Sequence, residues 1–95
     1  MNIIGLGQAG CSIAEKFKQY SQYKIYKIDV GLKKGKNVHS LKHQETSELY
    51  ESKLPNLKRA FLKEIEGDVL FITSCGAVSG ASLRLLGQIK DHCQV

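Results

Sequence analysis

The chain has 95 residues, of which 42% are hydrophobic and 24% charged, and this balance predicts one globular domain. Its net charge is +5, and its apolar runs are too short to cross a membrane, so we expect no membrane partner. The three cysteines match neither a disulfide framework nor a zinc motif, which predicts free thiols in a reducing cytoplasm.

The first thirty residues predict a strand, a helix and a second strand. Residues 2–6 are mostly apolar and form the first strand. A helix is expected from about Gln8 to Tyr20, because apolar residues recur on one helical face (Ile13, Ala14, Phe17 and Tyr20). Residues 24–30, KIYKIDV, are dominated by β-branched and aromatic side chains. The resulting βαβ unit predicts that the two strands are parallel.

A short third strand is predicted at residues 37–41, after the turn GLKKGK. Because a parallel crossover needs a dozen or more residues, we expect an antiparallel edge strand or a hairpin arm. The polar segment 42–55 predicts only a short helical turn, capped by Thr46 or Ser47.

The remaining chain predicts a helix, a strand buried on both faces, a small-residue loop and a last helix. These occupy residues 56–66, 68–73, 74–82 and 83–92, and residues 94–95 look like the start of another strand. The predicted fold is a three-layer, Rossmann-like open α/β sheet that is mostly parallel. One domain is expected to span residues 1–95.

Two loops of small residues follow predicted strands and open predicted helices. The first is GLGQAG, with Gly5, Gly7 and Gly10 in a G-x-G-x-x-G pattern, and the second is CGAVSG at residues 75–80. In a parallel sheet such loops meet at the carboxyl edge of the strands, where ligands bind. Backbone amides and helix N-termini there favour phosphate groups.

The type of phosphate ligand stays open on these residues. Asp29 lies where a dinucleotide-binding fold places the acid that holds a ribose hydroxyl, which favours NAD(P). The second small-residue loop favours a triphosphate held between two helix N-termini. A P-loop NTPase is excluded, since G-x-x-x-x-G-K-[ST] is absent. A third possibility is an interaction scaffold that has lost its ligand.

The two loops together resemble those of the tubulin and FtsZ superfamily. GQAG, residues 7–10, resembles the first nucleotide loop of that family, in which Gln8 matches a glutamine near the phosphates and magnesium. Residues 67–90, GDVLFITSCGAVSGASLRLLGQIK, resemble its strand, glycine-rich signature loop and helix. The signature is typically GGGTGTG or GGGTGSG. The corresponding loop of this chain has only two glycines, Gly76 and Gly80, and Ser79 stands in place of the threonine.

This resemblance implies the first half of a GTP-binding domain from a cytoskeletal, filament-forming phage or bacterial protein. Its expected ligand is GTP or GDP with Mg²⁺, and its expected partners are other subunits. It implies no catalytic residue and no hydrolysis by this chain alone, because the family completes hydrolysis across a subunit interface. The expected nucleotide-binding residues are those of the two loops and Asp29 (Gly5, Gly7, Gln8, Ala9, Gly10, Cys11, Asp29, Cys75, Gly76, Ala77, Val78, Ser79 and Gly80).

A lysine-rich stretch runs from residue 24 to residue 42. It holds six lysines and a single acid, Asp29, but no arginine and few aromatic residues. This composition favours a solvated strand edge and turn over a nucleic-acid surface. Nucleic acid is therefore not an expected partner from the sequence.

Overall fold

A computed structural model gives the structure of this protein. It describes residues 1–33, 35–55, 57, 62, 65, 67–73, 76–89 and 93–94, without the side chains of residues 79, 93 and 94. The elements follow in the order β1 (Asn2–Leu6), α1 (Gly7–Glu15), a 3₁₀ turn (Lys16–Gln19), β2 (Lys24–Val30), β3 (Val38–Leu41), α2 (Ser47–Ser52), β4 (Gly67–Ile72), a second 3₁₀ turn (Ala77–Ala81), α3 (Ser82–Ile89) and β5 (Cys93–Gln94).

The five strands form one sheet in the order β3-β2-β1-β4-β5. Every described pair is parallel, with Ile3 opposite both Ile25 of β2 and Leu70 of β4. Helix α1 contributes to a core on one face, whereas α2 and α3 contribute to a core on the other. The α/β class and the three-layer arrangement are therefore confirmed.

The expected antiparallel direction of the third strand is wrong, because β3 runs parallel to β2. β3 pairs only with the carboxyl half of β2, so that Lys27 lies opposite Val38 and Val30 opposite Leu41. The connection therefore has to return along about three residues, roughly 10 Å, rather than along a whole strand. Gly31 (φ 71°) and Asn37 (φ 59°) adopt left-handed conformations at its two ends. These reversals allow a seven-residue connection, 31–37, to join parallel strands.

The two faces of the sheet are covered unequally. The larger core contains side chains of β1, β2 and β4 together with buried residues of α2, α3 and the segment before β4, including Tyr50, Leu62 and Leu85. The smaller core has Ile3, Ala14 and Ile25 as its buried members. Leu70 shares that face through its register with Ile3 and is 41% exposed, so the expectation that its strand is buried on both faces is wrong.

The helices predicted at 8–20, near Thr46 and Ser47, and at 83–92 are present with modified boundaries. The first is an α-helix that tightens to a 3₁₀ turn, and this tightening changes the angular spacing of its last residues. Ala14 is buried as expected, but Ile13 and Tyr20 are exposed. Most of the helix predicted at 56–66 lies outside the described residues; within that range, Leu57 and Ile65 are described and are buried. Among the described helices, none has the length and hydrophobicity needed to span a membrane.

Candidate functional site

A cleft of about 580 Å³ lies where β1, β2 and β4 end. It is lined by the start of α1, by the start of the second 3₁₀ turn with the residue before it, and by the last residues of β2 (Gly7, Gln8, Ala9, Asp29, Val30, Gly76, Ala77 and Val78). The two small-residue loops therefore meet, as expected for strands that end at one edge of a parallel sheet. This volume is within the range of ordinary small-molecule sites.

The N-terminus of α1 opens directly into this cleft. Its N-cap residue is Leu6, whose side chain makes no capping hydrogen bond, and the first turn contains no acidic residue. The first amides of a helix have no partner within the helix, so they are donors for an anion. Gly7, with φ 79°, provides the sharp entry from β1, in a left-handed conformation that residues with a side chain rarely adopt.

The second loop reaches the cleft through Gly76, Ala77 and Val78. Behind them the 3₁₀ turn packs on α2, and a Cβ atom on Gly80 would lie 2.1 Å from the Ser47 carbonyl oxygen. The absence of a side chain at Gly80 therefore allows the second 3₁₀ turn to pack closely against α2. It is not among the residues that line the cleft.

Two glycines of the first loop also serve packing rather than the cleft. A Cβ on Gly5 would lie 2.6 Å from the Gly10 carbonyl oxygen, and a Cβ on Gly10 would lie 2.4 Å from the Ile72 carbonyl oxygen. Both residues are buried, and neither lines the cleft. They allow α1 to lie directly on β1 and β4, which is the packing role of glycines in this pattern.

Cys11 points into the protein. Its Sγ donates to the carbonyl oxygens of Gly5, at 3.3 Å, and Ile28, at 3.6 Å, and so links α1 to β1 and β2. Burial is the main cause that raises the pKa of this thiol above its ordinary value. The side chain therefore remains protonated at neutral pH and lies outside the group of cleft-lining residues.

Asp29 is half-buried and is the one ionisable side chain among the described residues that line the cleft. The neighbouring Lys27 forms an ion pair with Glu15 of α1. The hydrogen bond from Lys27 is the main cause that lowers the pKa of Glu15. A negatively charged ligand would consequently be held by amides, and the Asp29 carboxylate would have to meet a hydroxyl group or a cation.

The thirteen sequence-predicted residues differ in where the structure places them. Seven line the cleft, namely Gly7, Gln8, Ala9, Asp29, Gly76, Ala77 and Val78. Cys75 lies outside the described residues, as does the side chain of Ser79. Val30 also lines the cleft and was not predicted, although its position after Asp29 at the end of β2 was the available signal.

Comparisons of this chain with protein-family models, with curated proteins and with solved structures found no match. The fold and the cleft are consequently the observations on which a function can be argued. They define the chain as a Rossmann-like α/β domain with a ligand-sized cleft at the carboxyl edge of its sheet.

Proposed function

We propose that this chain is a GTP- or GDP-binding module of the tubulin and FtsZ type. The observation that carries the proposal is the single cleft shared by residues 7–9 and 76–78. Two segments of small residues there allow a phosphate chain to approach the backbone from both sides. Neither segment alone distinguishes a nucleotide loop from a tight strand-to-helix turn.

The chemistry of the cleft supports a ligand held through backbone groups. No Lys or Arg is among its described lining residues, so the uncapped N-terminus of α1 is the main source of positive potential. Gln8 is exposed at this terminus and offers both a donor and an acceptor. In the proposal, Gln8 lies beside the phosphates and Asp29 faces the ribose or Mg²⁺.

Magnesium fits this arrangement as part of the nucleotide complex. Within the described ranges, no group of three or more His, Cys, Asp or Glu side chains could hold a metal ion. Mg²⁺ commonly uses one or two carboxylates and completes its shell with phosphate oxygens and water. The Asp29 carboxylate and the phosphate oxygens of a bound nucleotide would supply these ligands. A divalent cation between them would also offset the repulsion between their negative charges.

Hydrolysis by this chain alone is not part of the proposal. Asp29 is the one candidate for a general base among the described lining residues, and it is assigned to ribose or metal. We propose that a second subunit, of the same or a related chain, completes any GTPase site. The protein would then act as one component of a filament-forming assembly.

Asp29 also favours a second candidate function, the binding of NAD(P). It follows β2 and lines the same cleft as Gly7, which is the arrangement that holds a ribose hydroxyl in dinucleotide-binding folds. The third possibility, an interaction scaffold, predicts that neither ligand binds. A thermal-unfolding experiment separates all three.

The test measures the melting temperature with GTP and Mg²⁺, with GDP and Mg²⁺, and with NADH. At a ligand concentration of 100 times Kd, binding stabilises the fold by about 2.7 kcal/mol, which raises the Tm of a domain of this size by roughly 10–20 °C. We expect this rise with GTP or GDP and none with NADH. A rise with NADH alone supports the dinucleotide function, and no rise with any nucleotide supports the scaffold.

Matched variants locate the site. Gly7→Ala adds a side chain at φ 79° to a residue that lines the cleft, and Gly67→Ala adds one at φ 79° at the start of β4, in open space. Both variants carry similar backbone strain, but only the first should abolish the nucleotide-induced rise in Tm. Equal nucleotide responses in the two variants would contradict this cleft as the site.

A further inference from the structure

The third strand, β3 (Val38–Leu41), is one edge of the sheet, and the described chain places no strand on its outer side. It begins opposite Lys27, so the amino half of β2 is faced instead by the turn before β3, across a second cleft of about 370 Å³. The open edge on this side of the sheet is therefore β3 itself. The proposed nucleotide cleft contains none of the four residues of this strand.

Two residues of β3 direct their backbone groups away from the sheet. The Asn37 carbonyl accepts a hydrogen bond from the Lys27 amide at 2.9 Å, and alternate residues of a strand face opposite edges, so Val38 and Ser40 face outwards. The Val38 amide donates to the Gly35 carbonyl at 3.3 Å. No partner among the described residues is found for the Ser40 amide or for the carbonyl groups of Val38 and Ser40. These three groups are available to a further strand.

Positive charge flanks this edge without interrupting it. The strand itself is Val-His-Ser-Leu and contains neither lysine nor proline, the residues that commonly block an edge. Lys36 lies two residues before it and Lys42 directly after it. Both are exposed, and neither forms an ion pair with another residue that the structure describes. The two ends of the edge therefore repel a basic strand and attract an acidic one.

A second copy of this chain is a poor occupant of the edge. In the two-fold antiparallel arrangement that pairs all four residues, Val38 of one copy lies opposite Leu41 of the other. This register brings Lys36 of one copy close to Lys42 of the other, and it does so at both ends. Like charges that face each other across two strands destabilise the pairing. The net charge of +5 on each copy adds to this repulsion.

We propose that the β3 edge binds an extended segment of a partner protein, in which acidic residues flank a short uncharged stretch. The segment adds a strand to the sheet, and its main chain hydrogen-bonds to Val38 and Ser40, which provides affinity. Its acidic residues lie beside Lys36 and Lys42, which provides selectivity. The four residues of β3 span about 13 Å, so the uncharged stretch has about the same number of residues.

The experiment is a fluorescence-anisotropy titration of the whole chain with a labelled octapeptide at about 150 mM KCl, where distant charges are screened. The peptide has two glutamates at each end and Val-Thr-Val-Thr between them. A second peptide has the same residues with N-methyl groups on the four central amides. We expect saturable binding of the first peptide and about tenfold weaker binding of the second, because N-methylation removes the hydrogen-bond donors and keeps the charges.

Matched variants of Ser40 test the backbone contact from the side of the protein. Ser40→Pro removes the outward amide hydrogen and keeps the hydrogen bonds between β3 and β2, as proline on an edge strand does. Ser40→Ala changes only the side chain. We expect about tenfold weaker binding of the first peptide by Ser40→Pro and a change of less than about twofold in Ser40→Ala. Thermal unfolding checks that both variants are folded.

The double variant K36E/K42E tests the charges without any change to the backbone, and so does not depend on the folding of Ser40→Pro. Its control, K16E/K53E, makes the same change of charge at exposed lysines outside β3 and its flanks. We expect about tenfold weaker binding in K36E/K42E and a change within about threefold in the control.

Three results would overturn the proposal. Equal binding of the two peptides, or equal losses in the two double variants, would show attraction by overall charge without an added strand. The absence of saturable binding by the native chain would exclude an acidic segment as the occupant. A dimer of the native chain that Ser40→Pro dissociates would assign the edge to a second copy.

Discussion

At the scale of single residues, the glycines of the first loop have separate functions. Gly7 lines the cleft with a left-handed backbone, whereas Gly5 and Gly10 give α1 room to lie against β1 and β4. At Gly5 and Gly10 the pattern G-x-G-x-x-G therefore reflects helix–strand packing. Loss of binding on substitution of Gly10 would consequently report damage to the fold before it reported a blocked phosphate.

Gly10→Ala tests this assignment. The added Cβ would lie 2.4 Å from the Ile72 carbonyl oxygen, so α1 must shift, at a cost of about 1–3 kcal/mol in the free energy of unfolding. Gly87→Ala in α3 is the control, because no atom lies within 4 Å of its new Cβ. That change should stabilise the fold by about 0.5–1 kcal/mol. Urea unfolding measures both, and a Gly10→Ala variant as stable as native would contradict the packing role.

Cys11 shows how burial alters the role of a sequence-predicted residue. It follows Gly10 in the first loop, but its thiol donates to the carbonyl oxygens of Gly5 and Ile28 and does not line the cleft. A small side chain at this position therefore lets α1 pack closely against the sheet. The resemblance that pointed to Cys11 did not specify the direction of its side chain.

At the scale of elements, α3 holds the chain on either side of Pro55. The Arg84 Nη1 atom donates to the carbonyl oxygens of Glu51 and Ser52, both at 3.1 Å, and these lie at the C-terminus of α2. Cations at this end of a helix satisfy its last carbonyl groups. The Gln88 amide donates from Nε2 to the Pro55 carbonyl and accepts at Oε1 from the Leu57 amide, each at 3.0 Å. One face of α3 thus positions α2, on which the second cleft loop packs.

Gln88→Leu should destabilise the fold by about 1–3 kcal/mol, because the Leu57 amide loses its acceptor and the Pro55 carbonyl its donor. Leu83→Gln on the same helix is the control, since Leu83 is 76% exposed and its replacement should cost less than about 0.5 kcal/mol. The free energies of unfolding from urea titrations give the comparison. Equal costs for the two variants would show that the paired hydrogen bonds of Gln88 do not hold this segment.

At the scale of the whole molecule, the two faces of the sheet differ in what covers them. The face with α2 and α3 carries the larger core, whereas the face with α1 buries few side chains and leaves Leu70 exposed on β4. Adjacent residues of one strand therefore experience different environments. Stability should depend mainly on the larger core.

Val69→Ala and Leu70→Ala measure this asymmetry directly. Val69 is 5% exposed in the larger core, so its truncation should cost about 2 kcal/mol, the loss of two buried carbon groups and the cavity that remains. Leu70 is 41% exposed, and its truncation should cost less than about 1 kcal/mol although more carbon is removed. A larger cost at Leu70 would show that another surface covers this face in solution.

Much of the architecture was predictable because it depends on local patterns. The βαβ unit, the Thr46 cap of α2 and the meeting of two small-residue loops follow from periodicity, capping chemistry and the geometry of parallel strands. The direction of β3 was not predictable in the same way. A connection of seven residues is too short for a full crossover, and it suffices only because β3 pairs with half of β2.

By itself, the sequence determined the α/β class, the order of the elements and the candidate phosphate loops, since each depends on residues close together in the chain. Tertiary structure alone decided which loop residues line the cleft and which glycines support α1. It also decided that Lys18, Lys24 and Lys36, which are distant in the sequence, line one cleft. These outcomes depend on strand register and side-chain direction, which arise only when distant segments pack together.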